Sequence, residues 1–495
     1  MDMSIKSLKI FFLIGIVFLL LSGVSPVTPV YADNNAVNLL AHAGYVTGDP
    51  DKGRDLYACP MHPEQVSFDP DDICPVCGMD LVPSVELGMN MDSNESLSEM
   101  MVAAFENNPE IKSARSQWQS MVEVYPQVVS LPDPKLNFNW FPEPMQTRNG
   151  SNDFGIQLMQ MIPNQRKRSL MGDIANVRAE MAGIRYEKKV RDVLTDVMKS
   201  YFELGYLHSA QDIVRTNSEL FEQLVSTGNI GYSDNQVALG ELYSAESNLE
   251  QARYEEQLVG ELIRAEEANL RRLLGLDPSC DFDNFILPSV SVAEFELEPI
   301  YDRVIEYRHE LALAGVSVEE AELNVDLARA QDDPDFSLGF MYNFIGQSMM
   351  GEALTSGDDA WGFMFGVTLP VWGGKNEARI DSAEAGLDAA RSDFENAENQ
   401  AYYDVEKIYW QSKNQGRLVV LYRDTLVPDA VNSAELAQTW YENGEINFMT
   451  LIETRLVVQN FSLALARAEA DYLKTLADLH KLTGIEIFGP GGEEQ

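Results

Sequence analysis

The sequence predicts a mainly α protein with a small β part: long helical hairpins, four strands, and a separate N-terminal knuckle. Three observations carry that prediction. A residue pattern near position 108 recurs 200 residues later, and four short segments alternate apolar and polar residues with aromatics on one side. Between Pro163 and Pro278 the chain has no proline, and it carries paired apolar positions at coiled-coil spacing.

The recurrence is a duplication. Asn108-Pro109-Glu110-Ile111 followed by Ala114 matches Arg308-His309-Glu310-Leu311 followed by Ala314, and Asp133-Pro134 matches Asp333-Pro334. After a loop the offset becomes 207, pairing Phe154-Gly155 with Trp361-Gly362 and Pro163 with Pro370. A constant offset with one loop indel is what an internal repeat leaves. Each unit reads as helix-strand-strand-helix.

In chain order, Lys6, Lys9, the apolar run Ile10 to Val24 and the small-residue pattern Val30-Tyr31-Ala32 predict a signal peptide over 1–32. A linker over 33–56 and a Cys/His-rich module over 57–83 follow, then a second linker over 84–95. The first repeat spans 96–276 and opens with a capping box at Ser96 and Glu99, predicting a helix over about 96–130. Strands are expected near 135–141, 152–162, 335–345 and 360–370, since Leu136, Phe138 and Trp140, and later Trp361, Phe363, Phe365 and Val367, alternate with polar or small residues. Their lengths suit a membrane barrel wall better than a soluble sandwich.

Helices are expected over 164–227 and 234–274, joined by a turn at Thr227-Gly228-Asn229-Ile230-Gly231. A connector over 277–298 leads to the second repeat, 299–485, and a flexible tail over 486–495. In that repeat a kink is expected at Pro428 and a turn at Glu442-Asn443-Gly444-Glu445. Leu451, Val458, Leu465, Tyr472 and Leu479 then mark a seven-residue seam.

The formal net charge of −42 makes nucleic acid an improbable partner. It fits either solvated helix faces or a field that gathers cations. No phosphate-cradling loop and no catalytic spacing is found, so no enzyme is expected.

The four cysteines are concentrated: Cys59, Cys74 and Cys77 fall close together, and Cys280 stands alone beside Asp277-Pro278, where a turn is expected. Tyr57-Ala-Cys59-Pro-Met61-His62 and Cys74-Pro-Val-Cys77-Gly-Met79 each offer two ligands at a spacing of two, which lets one tight turn face both side chains toward one ion. Three thiolates and an imidazole can close a tetrahedral site. Met61 and Met79 beside them favour Cu(I) or Ag(I), whereas Zn(II) also accepts the set. A disulfide between Cys74 and Cys77, or a purely structural zinc site, remains an alternative. Met89 and Met91 form a weaker pair; Met159, Met161, Met349 and Met350 are expected to fill gaps or face lipid, and His208 and His309 to be structural.

Residues 95–485 resemble the TolC family of outer-membrane efflux channels. The resemblance rests on Leu97 to Ala114 with its Asn-Pro-Glu signature, Pro163 before Arg166-Lys167-Arg168, Leu369-Pro370 to Lys375, and Leu426-Val-Pro428 upstream of Tyr441-Glu-Asn-Gly444. It implies a homotrimer sharing a twelve-stranded barrel in the outer-membrane lipid, four strands from each chain. A periplasmic α-helical tunnel would continue from the barrel and meet a periplasmic adaptor and an inner-membrane pump. It also implies that the hairpin turns form the tunnel tip, with Gly228, Gly231 and Gly444 at the turns and Asp234 and Glu445 near the aperture. Residues 57–83 resemble the small heavy-metal binding domain attached to copper and other metal efflux components. The two resemblances together imply a duct for copper or silver cations; a duct for organic compounds with a structural zinc module, or a soluble periplasmic adaptor, are the alternatives.

Overall fold

The computed structural model describes residues 57–58, 66–67, 82–83 and 97–484, apart from 235, 283, 284, 289, 294 and 348–356. The signal peptide, both linkers and the tail expected above therefore lie outside the described residues. Three two-residue strands open the description: β1 (Tyr57–Ala58), β2 (Val66–Ser67) and β3 (Val82–Pro83). The rest divides into two compact units, one holding residues 121–176 and 329–373, the other 97–120, 177–328 and 374–484.

The first unit is built on β4 (Lys135–Thr147), β5 (Gly150–Ile162), β6 (Asp335–Ile345) and β7 (Ala360–Thr368). They form one antiparallel sheet in sequence order, so the two repeats meet at the β5–β6 seam. The register sorts side chains by parity. Phe138 pairs with Ile156, Ile156 with Tyr342 and Tyr342 with Trp361, which puts the alternating aromatics of all four strands on one face. That face is bare: Trp140 is 72% exposed and Phe365 82%. At the foot of the sheet the Lys167 ammonium, 5% exposed, donates to both oxygens of Asp335 at 3.0 Å, and the Asn164 N–H donates to the same carboxylate at 2.9 Å. This ion pair joins the first turn of the helix after repeat one's second strand to the start of repeat two's first strand.

The second unit is helical. The helix expected over 96–130 is three: α1 (Leu97–Asn107) and most of α2 (Pro109–Val122) in this unit, and α3 (Val124–Val129) in the first. Repeat two breaks at the corresponding place, between α6 (Glu298–Tyr307) and α7 (His309–Ala330). Asn108 causes the first break. Its Oδ1 accepts from the Glu110 and Ile111 N–H groups, its Nδ2 donates to the Leu273 carbonyl at 2.7 Å, and Pro109 has no N–H to continue the preceding helix. At the second break Arg308 replaces the amide cap with an ion pair to Asp404 at 2.5 Å.

The long helices are α4 (Gln165–Ser233), α5 (Leu239–Leu274), α8 (Gly373–Leu421), α9 (Val427–Glu442) and α10 (Phe448–Thr483). At about 1.5 Å per residue, the 69 residues of α4 would span roughly 100 Å. The kink expected at Pro428 is preceded by a π-helical turn over Tyr422–Leu426, where the Val427 N–H reaches back to the Tyr422 carbonyl. Gly275 and Gly484 close α5 and α10 in left-handed conformation, at φ 68° and 62°. A Cβ on Gly275 would stand 2.7 Å from the Asn107 carbonyl oxygen, and one on Gly484 would stand 3.1 Å from the Tyr307 ring. In each repeat the last helix therefore ends against the break of the first.

Two sequence expectations shift. The first hairpin turn comes at residues 234–238, because α4 continues through Gly228 and Gly231. Those glycines serve close approach and not reversal: a Cβ at 228 would lie 3.2 Å from Leu242 and Phe448, and one at 231 would lie 2.7 Å from Val237. The seam of α10 also drifts. Leu451, Tyr472 and Leu479 are buried, but between them burial passes to the next residues, Gln459 and Ala466. A helix of 3.6 residues per turn does not keep a strict period of seven.

Asn108→Ala is expected to cost roughly 2–3 kcal/mol, since it strands two N–H groups and a buried carbonyl at once. Denaturant unfolding measures it, and a change under about 0.5 kcal/mol would show that the break does not depend on this amide.

Candidate functional site

The N-terminal strands form a sheet in the order β2-β1-β3. Ala58 is paired with Val66 on one side and Val82 on the other, so the C-terminal end of β1 meets the N-terminal ends of both neighbours. In sequence Cys59 follows Ala58, His62 falls between β1 and β2, and Cys74, Cys77 and Met79 fall between β2 and β3. Cys59, Met61, His62, Cys74, Cys77 and Met79 themselves lie outside the described residues. The donor set is chemically suited to a soft or borderline cation: thiolate and imidazole bind Cu(I), Ag(I) and Zn(II), and no carboxylate of the kind that favours Ca(II) or Mg(II) is needed.

The two hairpin ends are built differently. After α4, the Gln236 and Val237 N–H groups donate to the Gly231 carbonyl, and Asp234 stands exposed on the turn. After α9, the Glu445 N–H donates to the Trp440 carbonyl at 2.8 Å and the Gly444 N–H to Tyr441 at 2.9 Å, with Gly444 at φ 76°. That pair of bonds is a Schellman closure, with Gly444 supplying its left-handed residue. Asn447 then caps α10 by accepting from the Thr450 N–H. Glu445 is exposed, as Asp234 is. Beneath both turns Phe221, Val237, Ala437, Phe448, Leu451 and Ile452 bury one another, so the two hairpin ends form one cluster.

In the sheet, Met159 and Met161 lie on the face opposite the aromatics, because their partners Gly339 and Ser337 have odd parity on β6. They do not share the aromatic face that lipid would cover. Met341 and Met364 join them there, and only the strand register groups the four. The Lys167–Asp335 pair was missed likewise, although its lysine is the middle residue of the basic cluster. Met349 and Met350 lie outside the described residues, as do Met89 and Met91. Cys280 is a free thiol in the expected turn, its N–H donating to the Asp277 carbonyl. His208 stacks on Phe285 at 5.9 Å, and burial holds its pKa below the usual imidazole value. His309 faces Glu187 at 3.4 Å. Both act within the helical packing.

Comparison with known proteins follows the same division. Residues 300–485 match the family model described as outer membrane efflux protein, and residues 56–84 match the one described as heavy metal binding domain. The chain is 22% identical over 406 residues to the outer membrane protein TolC of Vibrio cholerae, covering 79% of this chain and 91% of that one. Among solved structures it is similar to the outer membrane protein VceC of Vibrio cholerae, with a TM-score of 0.65 at 18% identity over 78% of this chain and 96% of the other. It is also similar to CusC, whose structures are described in terms of transmembrane channel formation, with a TM-score of 0.64 at 14% identity over 79% and 95%. The fold is that of TolC-type outer-membrane channels.

Phe448→Ala is expected to cost about 3–5 kcal/mol in the hairpin-end cluster. Hydrogen exchange at the two turns should rise together, because they share that core. Asp234→Asn and Glu445→Gln, both exposed, should leave exchange within about 0.5 kcal/mol of the parent.

Proposed function

We propose that this chain is one subunit of an outer-membrane efflux duct that exports soft heavy-metal cations, copper or silver, with its N-terminal module binding the metal on the periplasmic side. The observation that carries the channel reading is the sheet: one face of exposed aromatics, and β4 and β7 left as edges. Lipid offers no hydrogen bonds to an unpaired strand, so a sheet with such a face must close on itself. Four strands cannot close alone. Three copies, each pairing its β7 with the next copy's β4, supply a twelve-stranded wall, and the aromatic face then meets lipid.

The module supports the cargo reading through its chemistry. Cys59, His62, Cys74 and Cys77 would hold a cation as thiolate and imidazole ligands, with Met61 and Met79 as further soft donors. In this reading residues 1–32 are removed on export, leaving the module in the periplasm, where an adaptor and an inner-membrane pump supply cargo and energy. The hairpin ends bearing Asp234 and Glu445 are the periplasmic aperture, where carboxylates face passing cations.

Three experiments test this. The full-length protein should fractionate with outer membranes, migrate as a heat-labile trimer and conduct ions in planar bilayers; a soluble monomer would sink the duct. In a host lacking its own copper efflux duct, expression with the cognate adaptor and pump should restore copper tolerance. A variant with Cys59→Ser and Cys74→Ser should remain trimeric and lose stoichiometric Cu(I) binding at the module; export of organic compounds without any effect on copper or silver tolerance would overturn the cargo assignment.

A further inference from the structure

The parity of the sheet gathers methionines that lie far apart in sequence. On the non-aromatic face Met159 stands directly opposite Gly339, and Gly339 directly opposite Met364, so two thioether side chains flank a residue with no side chain. One step along, Met341 stands opposite Gly362. The two pairs interlock. A Cβ on Gly339 would meet the Met364 methyl carbon at 3.0 Å, and one on Gly362 would meet the Met341 Cγ at 4.0 Å. Each methionine of this pair therefore lies over the other strand's glycine. The Gln157 amide donates to the Met364 sulfur at 3.8 Å, and Met161 continues the row along β5.

Core packing does not account for this group. The aromatic face holds the large hydrophobic residues, while the methionine face otherwise carries Asn137, Asn139, Gln157, Ser337 and Asn343 and is the side that a closed barrel turns toward water. A row of thioethers among amides, hydroxyls and glycines is a poor apolar core. It is a suitable set of neutral soft donors. Thioether sulfur selects Cu(I) and Ag(I) over harder cations, and unlike thiolate or imidazole it needs no deprotonation to bind. A cation passing a duct needs sites that hold it briefly, and neutral thioethers gathered across adjacent strands provide a weak, exchangeable one.

We propose that Met159, Met341 and Met364 form a soft-metal site on the inner wall of the barrel, a second binding place for monovalent copper or silver distinct from the N-terminal module. That the wall is inner rests on the duct reading above; the thioether site itself rests on the strand register.

The test uses full-length protein in detergent micelles, with the module silenced by Cys59→Ser, Cys74→Ser and Cys77→Ser. Ag(I) is titrated against protein labelled at the methionine methyl carbons, with single Met→Leu variants assigning the resonances. The methyl signals of Met159, Met341 and Met364 are expected to shift together with Ag(I) and to stay unmoved with Zn(II). The triple variant Met159→Leu/Met341→Leu/Met364→Leu, which nearly conserves volume, should keep its oligomer and its bilayer conductance while losing the Ag(I) binding that remains in the silenced protein. If the silenced protein binds no Ag(I), or if the triple variant binds it undiminished, the site is overturned. Conductance separates the two claims: a conducting oligomer without methionine binding removes the site and leaves the duct, whereas methionine binding in a non-conducting protein removes the duct and leaves the site.

Discussion

Helix ends that leave the solvent must find partners for their unpaired backbone groups, and in this protein that demand is met twice at the same place. At residue 108 and again at residue 308 a helix stops and restarts, and the restart is bound to the end of the repeat's final helix. In the first repeat the Asn108 amide holds the Leu273 carbonyl. In the second, Arg191 from α4 donates to the carbonyls of both Tyr307 and Lys481. Left-handed glycines at 275 and 484 admit the close approach. Chemistry has diverged from amide to guanidinium while the geometry is kept, so the contact and not the residue is what the duplication preserves.

The connector between the repeats depends on that arrangement. It has no regular structure between Asp277 and Leu297 among the described residues, and helix side chains satisfy its backbone. Arg423 donates to the Val290 carbonyl, the Tyr472 hydroxyl accepts from the Ala293 N–H, and the Tyr409 hydroxyl donates to the Phe295 carbonyl. A Cβ on Gly205 would stand 3.2 Å from the Leu287 backbone, and one on Gly416 would stand 2.8 Å from Val292. The strap lies close against its helices because those two positions lack side chains, and the buried tyrosines replace the ladder that a strand would have had.

Much of this was legible in the sequence because the signals are local. Period-two aromatics located all four strands, and the offset of 200 to 207 located the repeat. The Asn108 motif is visible in sequence but the break it makes is not, since the carbonyl that the amide holds lies 165 residues away. Gly228 and Gly231 looked like a turn because glycine reverses chains; that they admit Phe448 and Val237 depends on neighbours that sequence does not rank. The methionines were opaque for the same reason. Met159 and Met364 become neighbours only through Gly339, and a register shift of one residue would have sent them to opposite faces. For the N-terminal module the reverse holds: its ligand set is read from spacing alone.

The π-helical turn before Pro428 has a bearing on how the two halves came to differ in length. The offset between matching positions is 207 at Pro163 and Pro370 and has grown to 209 at Gly275 and Gly484. The second repeat is therefore two residues longer over a stretch that is helical for most of its length. A π turn absorbs one residue more than an α turn without opening the ladder. The bulge over Tyr422–Leu426 thus takes up one of those two residues. By taking up chain locally, it lets one hairpin be longer in sequence than the other without a break in the helical ladder.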